Sequence, residues 1–303
     1  MPARGPGALI AAGLLGAVLV AGAATAPAPA ATLEHVGTYV WTAGEDGFGG
    51  FSGLEISPDG NGFHAVTDRA QLFWGSVERD NSGRIRGLNI AGRSHLKDSK
   101  ATPLKPGLLG DSEGLAVGPD GRIWVSFEGL DRLALYAKPD LPAERLPTPP
   151  VLAELKINAG MEALAMAPDG ALIALPERSG KADRPFPVLR YREDQGWDAP
   201  WEITREGSWL PVGADFGPDG RFYLLERDFL GVLGFSSRIR RFDFGPDGPT
   251  NGEVLLETRS LQYDNLEGIA VWQDGLDLRI TMISDDNFLF VQRTELVEYR
   301  LRD

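Results

Sequence analysis

The chain has 303 residues, 43% of them hydrophobic, no cysteine and a formal net charge of −13. That length supports a large core, and the missing thiol excludes disulfides, thiolate metal sites, cysteine nucleophiles and a Cys-linked lipid anchor. The acidic balance argues against nucleic acid and anionic membrane surfaces as partners, while suiting cation binding or plain solubility.

Residues 1–31 stand apart. Arg4 precedes an apolar run from Ala8 to Ala26, and a Pro/Ala tail follows with small residues suited to cleavage near Ala30 or Ala31. This pattern predicts a signal peptide, export to the periplasm or medium, no stable membrane insertion after cleavage, and a single domain over 32–303. An uncleaved anchor is the alternative, which the small-residue tail disfavours.

Residues 33–42 (LEHVGTYVWT) read as a strand, and GEDGFGG at 44–50 as a loop. Then a unit recurs: SGLEISPDG (52–60), EGLAVGPDG (113–121), EALAMAPDG (162–170), VGADFGPDG (212–220) and EGIAVWQDG (267–275). Each copy is a short apolar run ending in a turn, where Asp caps its own backbone and Gly accepts positive φ. A second apolar run follows every turn and ends in acid: Asp68, Glu128, Glu177, Glu226 and Asp285.

Four strands per unit are predicted. Unit one has 53–57, 63–67, 72–78 and 84–90. Unit two has 115–117, 123–127, 132–137 and 151–157. Unit three has 163–166, 171–175, 188–192 and 201–204. Unit four has 213–216, 222–225, 237–244 and 253–259. Unit five has only 269–272, 278–283 and 295–301. Its missing strand and the orphan strand at 33–42 complete each other. The fold expected is all-β, a β-propeller whose ring closes by pairing the N-terminal strand with the C-terminal blade. The turn glycines Gly60, Gly121, Gly170, Gly220 and Gly275 lie 61, 49, 50 and 55 residues apart. No interval hides another four-stranded blade, which favours five blades; six stays open if some blades are shorter.

In a propeller, the loops leading into each first strand and those leaving each second strand meet at one axial end. Two sets of acids are therefore expected near one mouth. The leading set is Glu113, Glu162 and Glu267, with Ser52 and Val212 in the equivalent places. The trailing set is Asp68, Glu128, Glu177, Glu226 and the run Asp285, Asp286, Asn287. Glu55 and Asp215 lie three residues beyond Ser52 and Val212, a shift that reverses strand face. Arg69, Arg178 and Arg227 adjoin trailing acids, whereas the leading set has no basic neighbour in sequence.

Two carboxylates about 4 Å apart repel by ~1 kcal/mol in water and ~4 kcal/mol at an effective dielectric of 20. Such a cluster needs protons or cations, and oxygen-only donors suit Ca²⁺ first and Mg²⁺ second. The candidate ligands are Glu113, Glu162, Glu267, Glu55, Asp215, Asp285, Asp286 and Asn287. Single acids beside turns are more often solvated or cap backbone amides. The Asp of each turn is structural, and Trp124, Trp201, Trp209 and Trp272 are expected between blades. His35, His64 and His95 have no ligand spacing, and no GxSxG or phosphate-loop motif occurs.

The stretches FGGFSGLEISPDG, FHAVTDR, DSEGLAVGPDGRIWVSFEG, GMEALAMAPDG, LPVGADFGPDGRFYLLERDF, YDNLEGIAVW and ISDDNF resemble the phytase-like family, named for an esterase-like activity of phytase. The resemblance spans nearly the whole mature chain and implies phosphoester or ester hydrolysis. A looser similarity is to calcium-dependent gluconolactonase and paraoxonase propellers. It implies that a channel-mouth Glu in an EG pair, such as Glu113 or Glu267, helps hold the metal. This chain departs from those propellers in repeating that Glu on three blades and in lacking catalytic His candidates.

The leading functional expectation is a metal-dependent hydrolase acting on a small anionic substrate, and a monomer. Glu128, Glu177 or Glu226 would serve as general base, and Arg69, Arg178 and Arg227 as the anion clamp. The alternative is a non-catalytic propeller that binds a ligand or protein at its mouth, with any metal structural.

Overall fold

The structure is a computed structural model and describes residues 1–2, 31–153, 160–181, 183–231 and 234–302. Most of the segment read as a signal peptide, residues 3–30, lies outside the described residues, so that reading rests on sequence. Among the described residues no helix is long and apolar enough to cross a membrane.

Five four-stranded antiparallel sheets form the domain. Blade one is β2 (Phe51–Ile56), β3 (Gly62–Thr67), β4 (Gln71–Arg79) and β5 (Ile85–His95). Blade two is β6 (Ser112–Val117), β7 (Ile123–Phe127), β8 (Arg132–Tyr136) and β9 (Glu144–Arg145). Blade three is β10 (Met161–Met166), β11 (Leu172–Pro176), β12 (Phe186–Arg192) and β13 (Gly196–Ile203). Blade four is β14 (Leu210–Phe216), β15 (Phe222–Phe229), β16 (Phe235–Gly245) and β17 (Gly248–Glu257). Blade five is β18 (Asn265–Asp274), β19 (Asp277–Asp285), β20 (Glu295–Arg302) and, from the other end of the chain, β1 (Thr32–Val40). β1 pairs with β20 from Thr32↔Arg302 to Val40↔Glu295, so the ring closes as the repeat count requires.

The fourth strand of blade two departs from expectation. It is the two-residue β9, not 151–157; Pro150–Ala153 forms a 3₁₀ turn, and 154–159 lie outside the described residues. The intervening sequence carries Pro142, Pro147, Pro149 and Pro150, which donate no ladder hydrogen bond and cut an edge strand short.

Five apolar clusters, one per blade interface, hold the ring together. Alternate residues of each strand face the neighbouring blade, and Trp124 and Trp272 are buried there as expected. A buried ion pair reinforces the closing seam. Glu298 accepts from Arg79 of blade one (2.7 and 2.9 Å) and from Arg279 of its own blade (3.2 Å), and both arginines lie over Trp272.

The axis is narrow because the first strands carry almost no side chain where they converge. That position holds Gly53, Gly114, Ala163, Gly213 and Gly268. A Cβ on Gly114 would sit 2.6 Å from the Glu162 carbonyl, and one on Gly268 2.8 Å from the Leu54 nitrogen. The space left along the axis is about 10 Å³, roughly the room needed for one water.

Candidate functional site

One irregularity is repeated in all five blades. Pairing between the first two strands slips at Phe51/Gly53, Ser112/Leu115, Met161/Ala163, Pro211/Gly213 and Leu266/Gly268. The residues at these bulges include Ser52, Glu113, Glu162, Val212 and Glu267. A bulge breaks the two-residue alternation and re-aims a side chain. Here it delivers the three leading glutamates to the axial mouth.

Backbone pairing identifies the trailing position in each blade. Asp68 N bonds Gly50 O (2.8 Å), Glu128 N bonds Asp111 O (2.8 Å) and Glu177 N bonds Gly160 O (2.9 Å). In blade five the pair is Asp285↔Asn265. In blade four it is Arg227↔Leu210, while Glu226 faces Pro211. The trailing place in blade four thus belongs to Arg227. Glu226 falls one residue short, and a one-residue step sends its side chain to the other face of the sheet. There it is fully buried and held by Arg238 (2.8 Å) and Arg240 (2.6 and 2.8 Å). The expectation that Glu226 joins the mouth is corrected: it is the centre of an internal ion cluster.

Arg227 supplies the leading glutamates with the basic partner that none of them has beside it in sequence. Its guanidinium donates to Glu267, to Asn265 (2.9 Å) and to Glu177 (3.3 Å). Burial pulls its pKa down, but Glu267, Glu162 and Glu177 outweigh this and raise it above the usual arginine value. One side of the well is thereby an arginine-bridged acid group. Arg178 joins it from the rim, bonding Glu177 at 2.8 Å with 61% of its own side chain exposed. Arg69 is turned over the Phe288 ring, 3.2 Å from its centroid.

The other side has a different balance. Asp111, Glu113 and Glu128 each offer a carboxylate oxygen, all within 4.8 Å of one another. Burial raises the pKa of all three; for Glu113, Glu162 and Glu267 add to the effect, and for Glu128, Asp111 does. Two more carboxylate oxygens, Asp68 Oδ1 and Asp131 Oδ1, are buried with no hydrogen-bond partner among the described residues. Asp111 belongs to this group by its place just before the bulge, where the other blades have Gly50, Gly160, Leu210 and Asn265.

The remaining candidates are occupied elsewhere. Glu55 accepts from Val117 N (3.1 Å) and Asp215 from Val271 N (2.6 Å). Each satisfies an otherwise unpaired amide on the next blade's first strand, deeper along the axis than the mouth. Burial raises both pKa values, with Asp215 adding to the effect on Glu55. Asp286 accepts from Gly50 N (2.9 Å), Phe288 N (3.0 Å) and the Thr294 hydroxyl (3.1 Å), which makes it a loop clamp. Asn287 supplies a left-handed turn residue (φ 47°). Of the three consecutive candidates, Asp285 is raised by burial, with Glu267, Asp68 and Asp286 adding, and Asp286 in turn adds to the rise of Asp68.

Protons hold this well together when no other cation is present. Burial, with Asp111, Glu267 and Asp286 adding and Arg69 opposing, lifts Asp68 to about 7. Burial and then Glu267 lift Asp285 to about 8. Folded-state values above the unfolded ones mean stability fully present below about pH 4 and lost as pH rises through the folded values. The melting temperature of chelator-treated protein is expected to fall steadily from about pH 5 to pH 8. A flat profile in a calorimetric pH series would contradict this electrostatic picture.

Fold and site together define a five-bladed β-propeller with one acidic, arginine-bridged axial mouth. The chain belongs to the phytase-like family, described as esterase-like activity of phytase, whose family model matches residues 46–288. Among curated proteins no significant sequence match is found. Solved structures share the fold, two of them with the following likeness. One is the Podospora anserina α-L-arabinofuranosidase PaAbf62A, in complex with cellotriose: 12% identity, 90% of this chain and 97% of that chain covered, TM-score 0.54. The other is the catalytic domain of a Coprinopsis cinerea GH62 α-L-arabinofuranosidase: 12% identity, 89% and 96% covered, TM-score 0.52.

Proposed function

We propose that the protein is an exported, divalent-cation-dependent hydrolase of small anionic phosphate or carboxylate esters, working at the acidic mouth. The observation that carries this reading is the asymmetry of the well. One side is neutralised internally by Arg227, whereas the Asp111, Glu113 and Glu128 oxygens converge with no arginine hydrogen-bonded to them among the described residues, Arg178 acting on Glu128 through its charge alone. Membership of the phytase-like family supports ester chemistry.

All-oxygen donors and nearby unpaired carboxylate oxygens fit Ca²⁺, with Mg²⁺ second. Asp111, Glu113 and Glu128 would hold the ion, in place of the symmetric Glu113, Glu162 and Glu267 trio. A bound cation supplies polarisation of an ester oxygen and a more acidic water. Arg178 and Arg227 orient the anionic group of the substrate, and Glu177, Glu267 and Asn265 fix Arg227 for that task. Asp68, with an unpaired oxygen, accepts the proton from the attacking water.

The test is turnover of p-nitrophenyl phosphate and p-nitrophenyl acetate by purified protein. Activity on at least one is expected to vanish with EDTA and return with Ca²⁺. A protein that Ca²⁺ stabilises but that turns over neither ester would instead be a binding propeller with a structural ion.

A further inference from the structure

A cavity of about 540 Å³ opens beside the well, lined by loops of blades four and five. That volume lies within the range of small-molecule pockets. Its walls include Phe229, Phe235, Leu261, Tyr263 and Val291, with Asp264, Gln292 and Arg293 among them. The polar groups are already engaged with one another. Asp264 accepts from the Gln292 side chain (2.7 Å) and from Arg293 N (2.9 Å). Tyr263 shares a hydrogen bond with Tyr299 (2.6 Å). What remains for a ligand is apolar wall and, at the edge, the exposed Arg293 guanidinium, which reaches Glu295 at 3.5 Å.

Arg227 joins the cavity to the well. Its guanidinium lies 5.8 Å from the Phe235 ring centroid, and it also holds Glu267 and Glu177. Leu261 adds an independent signal. It is a leucine at φ 60°, in the left-handed region that disfavours branched side chains, and 71% of it is exposed. Neither property helps the fold, and strained residues retained at a cavity wall point to use. Phe229, at the end of β15, and Val291, in the loop between β19 and β20, are likewise 64% and 68% exposed.

We infer that this cavity is the subsite for the apolar group of the substrate, so that the preferred esters carry an alkyl or aryl group of several carbons next to the anionic head held by Arg227. The assignment rests on the ester-hydrolase reading for the identity of the reacting group, but the subsite itself is testable without turnover.

The probes are two non-hydrolysable ligands with one head group, methylphosphonate and hexylphosphonate, titrated calorimetrically into the full chain with Ca²⁺. Hexylphosphonate is expected to bind at least tenfold more tightly. Leu261→Asn suits the left-handed backbone better and is expected to melt no lower than wild type. It should nevertheless lose most of the preference for the longer chain, leaving methylphosphonate binding unchanged. Phe229→Ser is expected to act in the same direction. Equal affinities for the two phosphonates, no binding of either, or a preference that survives both substitutions would each overturn the subsite. A chain-length preference without turnover of p-nitrophenyl esters keeps the subsite and removes the hydrolase reading. Turnover without the preference does the reverse.

Discussion

Glu226→Ala is expected to destabilise the protein by about 3–5 kcal/mol, because it strips two buried guanidinium groups of their shared carboxylate. Glu226 has no exposed side-chain surface, and Arg238 and Arg240 are each 4% exposed. Glu206 touches both arginines (2.8 and 3.3 Å) but is itself half in solvent, so it replaces little of the lost compensation. A loss of that size is a large part of a typical domain's total stability, roughly 5–15 kcal/mol. Urea denaturation reads it directly as a lowered midpoint. Replacing the whole cluster, with Glu226→Leu, Arg238→Met and Arg240→Leu together, should recover most of the loss, since no charge is then left buried. A midpoint unchanged in Glu226→Ala would refute the internal role and return Glu226 to consideration at the mouth.

The second large effect concerns the cation. Adding Ca²⁺ at a hundredfold excess over its Kd should stabilise wild-type protein by ~2.7 kcal/mol through mass action. Glu113→Gln removes one of three converging charges and should abolish most of that gain. Glu162→Gln should retain it, because Glu162 lies on the side that Arg227 balances. Asp169→Asn serves as a control: that residue caps Ala171 N (3.0 Å) and pairs with Arg192 (2.5 Å) in a turn. Thermal denaturation with and without Ca²⁺ separates these cases. If Glu113→Gln responds to Ca²⁺ like wild type, the Asp111, Glu113 and Glu128 group is not the cation site.

The architecture was legible because each blade repeats apolar runs of strand length around an Asp-Gly turn, and because the unpaired strand at each end of the domain needs the other. The two-residue β9 was not, since Val151–Ile157 has strand-like residues and the prolines before it only shorten a strand rather than mark one. The acids of the mouth were legible as types but not as partners. Glu226 and Arg227 are adjacent in sequence, and only the pairing of Arg227 with Leu210 decides which one faces the axis. The bulge that turns Glu113, Glu162 and Glu267 to the mouth leaves no trace beyond the small residue that follows each of them. Asp111 carries no repeat signal at all, because its place in the other blades is held by Gly, Leu or Asn. Counting forward from the turn glycine points the same way: Glu128 and Glu177 lie seven residues beyond Gly121 and Gly170, and the residue seven beyond Gly220 is Arg227, not Glu226.

The glycine-crowded axis has a kinetic consequence. With only about 10 Å³ left between the first strands, the ring is a blind-ended vessel rather than a conduit. Whatever reaches Arg227 and Glu113 arrives from one side and must depart by the same side. Each departing molecule therefore leaves by the path that the next arrival needs. Substitution at the axis has little to trim, because four of the five converging positions are glycine and the fifth is Ala163; only the surrounding loops have shape to give.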